Sequence, residues 1–135
     1  MRPRYESLAH TADIALRAYG KDMQELFGNA AFAMFSQMAD LEKVPPTVRR
    51  PVEVRGYDYA SLLVNWLNEL LFLHETQGEV YSEVDIEALQ PKQLSATVAG
   101  DHVEQVLTLI KAATFHGLEI EPDNDGYAAT VVFDV

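Results

Sequence analysis

The stretch 58–75 constrains this chain more than any other. Leu62, Leu63, Trp66, Leu67, Leu70 and Leu71, with Leu73, form a broad apolar face at helical spacing. So wide a face has to be buried, each large side chain gaining roughly 1.5–3 kcal/mol on leaving water. A helix here is the expected keystone of a core. Asn65, Asn68 and Glu69 interrupt the apolar run, which therefore falls short of the roughly 18 residues of a membrane span. Phe72 lies opposite the main stripe and is expected under a second layer or on a partner surface.

An earlier helix is expected to start at Asp22, an N-cap with Glu25 three positions on. Met23, Leu26, Phe27, Ala30, Met34 and Met38 then fall on one face, a Met-rich stripe that reads as core rather than as a partner groove. The rest reads as strands: 5–8, 14–19, 48–55, 79–86, 94–100, 106–115, 118–121 and 127–133. Asp123-Asn124-Asp125-Gly126 is a turn sequence and should join the last two as a hairpin. This order predicts an α+β fold, two helices on a mainly antiparallel β-sheet, in a single domain spanning 1–135. A doubly wound parallel sheet would need more helical crossovers.

Composition narrows the function. Ten Lys and Arg against 21 Asp and Glu leave a formal charge of −11, so unaided nucleic-acid binding, which depends on phosphate contacts, is not expected. A cation or a basic protein suits this charge better. The absence of cysteine excludes disulfides and thiolate chemistry and is compatible with a cytoplasmic protein. The opening residues lack a signal peptide's apolar segment.

No glycine-rich phosphate loop with a following lysine and no nucleophile elbow is present, and His10, His74, His102 and His116 lack local zinc spacing. Carboxylates remain. Asp13 stands at the head of one apolar strand and Asp134 at the end of another, followed by Val135. If those ends meet, two carboxylates and main-chain or terminal oxygens of Val135 make an all-oxygen cage for calcium, magnesium or manganese. Read locally, Asp13 more readily takes a turn or capping role, Asp134 is open to an ordinary solvated position, and His10 reads as a turn hydrogen bond ahead of a proton shuttle. Lys111 and His116 could serve an anion or simply pair across strands.

HTADIALRAYG at 10–20, LNELLFLHETQGEVYS at 67–82, KAATFHGLEI at 111–120 and VVFDV at 131–135 together resemble the archease family, in the same order over nearly the whole chain. Phe115 stands where many relatives carry tyrosine. The resemblance implies an accessory protein, not itself an enzyme, of the RNA-splicing ligase RtcB in tRNA splicing and RNA repair. It would promote guanylylation of the ligase histidine and repeated turnover. It further implies a divalent metal, calcium or else manganese or magnesium, held through Asp13, Asp134 and Val135. Two other classes stay open: an independent metal-dependent enzyme on a small phosphorylated substrate, and a general chaperone of RNA-processing proteins.

Overall fold

The computed structural model describes residues 2–8 and 13–135. The elements run β1 (Tyr5–Leu8), β2 (Ile14–Gly20), α1 (Met23–Met38), a 3-10 turn (Leu41–Lys43), β3 (Val48–Arg55), α2 (Tyr59–Gln77), β4 (Glu79–Gln90), β5 (Gln93–His102), β6 (Ala112–Ala113), β7 (Ile120–Asp123) and β8 (Gly126–Asp134). The α+β expectation holds, and every described strand pairing is antiparallel. The strands divide into two sheets. One has the order β1-β2-β8-β6, with β7 also on β8; the other has the order β3-β5-β4.

The helices hold the two sheets together. α1 packs on β2 and β4, and α2 packs against β3, β4, β5 and β6. Leu62, Leu63, Trp66, Leu67 and Leu70 are fully buried beside Phe27, Met34 and Phe35, so the Met-rich stripe is core. The Trp66 indole, which must satisfy its one donor, gives it to the carbonyl of Phe27 at 3.0 Å and so joins the helices. Asp22 caps α1 by accepting from the Glu25 amide, while the Glu25 carboxylate reaches back to the Lys21 amide. Asp58 and Ser61 form a reciprocal capping box on α2. Gly78 ends α2 in the left-handed region, at φ 70°, which a side chain there would disfavour.

One expected strand is corrected. Of 106–115 only Ala112–Ala113 is strand. The segment leaves β5 in one sheet and arrives at β8 in the other, so most of it has no neighbouring strand to pair with. Only Ile110 and Ala113 become buried, whereas Leu107 and Leu109 stay exposed. The Asp123 hairpin forms as expected, with Asp123 paired to Gly126.

Candidate carboxylate site at the β2–β8 end

The candidate site follows from the register of two strands. β2 pairs with β8 from Gly20↔Tyr127 to Ile14↔Phe133. The pairing stops there: Asp13 is a bend just before Ile14 and Asp134 follows Phe133, so the two residues flank the last paired rung. Phe133 is buried and Ile14 half-buried, so the last paired rung is anchored in apolar packing. Asp13 is half-buried, while Asp134 and Val135 are exposed. Both residues thus lie at the same end of the β2–β8 ladder.

The other flank of Asp134 is held as well. Ala112 pairs with it, and the Lys111 amide donates to its carbonyl oxygen at 2.8 Å. Thr114 adds two bonds to the Val132 carbonyl, from its amide and its hydroxyl, both at 2.9 Å. Behind this edge Asn68 of α2 clasps Ala113, donating to its carbonyl at 3.1 Å and accepting from its amide at 2.8 Å.

The donor set is all oxygen and anionic, which fits a hard divalent cation and not a soft one. Among the described residues no group of three His, Cys, Asp or Glu side chains is placed to hold a metal ion. Val135, next in the chain to Asp134, is exposed and offers further oxygens. His10 lies outside the described residues. The other histidines are not gathered at this site. The His74 Nδ1 lies 2.9 Å from the Glu79 carbonyl, His102 packs on Gly78, and His116 follows the exposed Phe115.

Sequence reasoning missed one buried polar cluster. Glu79, only 5% exposed, accepts from Arg50 Nε and Nη2 at 2.9 and 2.8 Å and from the Tyr81 hydroxyl at 2.8 Å. The Arg50 guanidinium holds the Glu79 carboxyl below its usual range, against the opposing push of burial, and Tyr81 helps. Burial and then the neighbouring carboxylate push the Tyr81 hydroxyl up. No spacing rule marks this triad, since Arg50 and Glu79 meet only through the β3-β5-β4 sheet.

Residues 5–135 match the archease protein family (MTH1598/TM1083). The protein archease of Methanosarcina barkeri is 38% identical over 140 residues, taking in 98% of this chain and 96% of the relative. That of Sulfurisphaera tokodaii is 34% identical over 137 residues, with coverage of 98% and 99%. The solution structure of Methanobacterium thermoautotrophicum protein 1598 is similar with a TM-score of 0.81 at 36% identity, covering 98% of this chain and 99% of that one. The crystal structure of a Thermotoga maritima archease, described as a possible chaperone, shares the fold with a TM-score of 0.63 at 23% identity over 100% and 98% of the chains.

Proposed function

The chain belongs to the archease family, and on that premise we propose that it is a non-catalytic activator of the RNA-splicing ligase RtcB. In this reading it acts in the cytoplasm in tRNA splicing and RNA repair, promoting guanylylation of the ligase histidine and repeated turnover. The observation that supports the reading is the β2–β8 register, whose last rung, Ile14↔Phe133, leaves the neighbouring Asp13 and Asp134 at one end of the ladder. Asp13, Asp134 and an oxygen of Val135 would hold calcium, manganese or magnesium. Such an ion, when bound, supplies positive charge that polarises phosphate oxygens.

The chain's own part is positional. Burial of Phe133 and the Lys111 amide hold the last rung and the Asp134 backbone, which lowers the ordering cost of docking at that end. The charge of −11 supports a basic, RNA-binding enzyme as the partner, because opposite charge speeds encounter and selects against wrong partners. Among the described residues no helix is long and apolar enough to cross a membrane.

Single-turnover guanylylation of the ligase tests the reading. Asp13→Ala and Asp134→Ala, each checked for folding by thermal melting, are expected to lose stimulation. Full stimulation by both folded variants would overturn the role of the carboxylate pair. A general chaperone is the second reading, favoured by the exposed Phe72, Leu107, Leu109 and Phe115. It predicts suppression of aggregation of unrelated clients, which a specific activator would not give.

A further inference from the structure

A groove runs between α1 and β4, away from the Asp13–Asp134 pair. Its main part has a volume of about 580 Å³ and takes in Tyr81, Ser82, Glu83, Val84, Asp85 and Ile86 in unbroken succession. A sheet face displays every second residue, so consecutive lining residues mean that the groove exposes the edge of the strand. β4 is the outer strand of its sheet. Among the described residues, none of 80–90 makes a main-chain hydrogen bond outside the ladder with β5. The β4–β5 register is irregular between Tyr81 and Glu83 and again between Ile86 and Ala88, leaving Glu83, Val84, Asp85 and Ile86 as a regular tract between two interruptions.

The opposite wall is α1, where Gly28 lines the groove near its middle. Glycine inside a helix is unfavourable relative to alanine, so its presence calls for a reason. The fold gives none: a Cβ built at Gly28 meets nothing within 4 Å, and the residue needs no positive φ. The missing side chain leaves room for something outside the chain. Asp22, Glu25, Glu83 and Asp85 line the same space, opposed among the described residues by Arg4, whose guanidinium stacks 4.2 Å from the Phe32 ring centre. Past Ser82 the groove continues with Asp40 and Glu42 to the exposed Leu107. α1, with 16 residues, gives it a length of roughly 24 Å.

We propose that this groove receives an extended, basic segment of a partner protein, which adds as a strand to β4 at Glu83–Ile86 and passes its backbone over Gly28. Strand addition supplies main-chain hydrogen bonds, and the flanking carboxylates select positive side chains. A second copy of this chain does not fit the role, since a partner of charge −11 would be repelled by these walls. The inference is independent of the carboxylate pair at the other site and of the identity of the ligase.

The test uses the full chain and a fluorescent, acetylated eight-residue peptide that alternates valine with lysine or arginine. It is expected to bind, to slow amide hydrogen exchange in residues 83–86, and to weaken by roughly tenfold or more with Gly28→Leu or Asp85→Lys. Both variants should melt no lower than the parent, which separates lost binding from lost folding. A peptide of identical charge, N-methylated at alternate residues so that it cannot form a ladder, is expected to bind far more weakly. Equal binding of the methylated peptide, no binding of the parent peptide, or unchanged exchange at 83–86 overturns the proposal.

Discussion

Glu79 shows how much one side chain can hold. It lies just past the left-handed Gly78, where α2 gives way to β4, and receives three hydrogen bonds from Arg50 and Tyr81. Its folded carboxyl titrates below its ordinary value. The stabilisation is therefore fully present above the ordinary glutamate range and is lost as pH falls through the lower, folded value. Glu79→Gln keeps the shape and removes the charge. At neutral pH it is expected to cost about 1–2 kcal/mol, toward the low end for charged hydrogen bonds because the Arg50 side chain is 34% exposed to screening solvent. Urea denaturation across the acid range should show the gap between parent and variant closing as Glu79 protonates. A gap independent of pH would mean that the triad is held by packing and not by charge.

At the scale of elements, Asn68 is the link between the buried helix and the exposed site. It and Asn65 interrupt an apolar face because each serves a backbone: Asn65 donates to the Arg55 carbonyl, and Asn68 holds both main-chain groups of Ala113. Asn68→Ala is expected to lose two hydrogen bonds, about 1–3 kcal/mol in all, and to loosen β6. Hydrogen exchange at the Ala113 amide should accelerate while α1 amides stay protected. Unchanged exchange at Ala113 would show that β6 is held by β8 alone. The same elements explain what was legible in the sequence. Both helices could be read from their 3.6-residue apolar period, because burial of one face imposes that period directly. The tract 106–115 could not, because Val106, Leu107, Leu109 and Ile110 report strand propensity, whereas the path from one sheet to the other decides whether a strand exists there. Asp13 and Asp134 were visible as candidates, but that they stand at the same end of one ladder is a matter of register between segments over a hundred residues apart in sequence. Glu79 carried no local signal, since it is explained only by Arg50 and Tyr81, which lie against it.

The whole molecule combines one continuous buried core with a strong net negative charge. Two sheets and two helices share one set of buried side chains running from Leu16 through Trp66 to Phe133, so the strand end that carries Asp134 is continuous with the core. In the proposed role as a ligase activator, association should then be governed by encounter. The formal charge of −11 acts at this scale, because a field summed over many side chains reaches a partner before any contact forms. Salt screens that field over a distance of about 8 Å at physiological ionic strength. Raising salt should accordingly slow association with the proposed ligase partner steeply while leaving dissociation nearly unchanged, since the contacts that hold the complex form at short range. Stopped-flow mixing at graded salt separates the two rates. A salt-insensitive association rate would remove charge steering from the account, and a change confined to dissociation would place the relevant charges inside the interface.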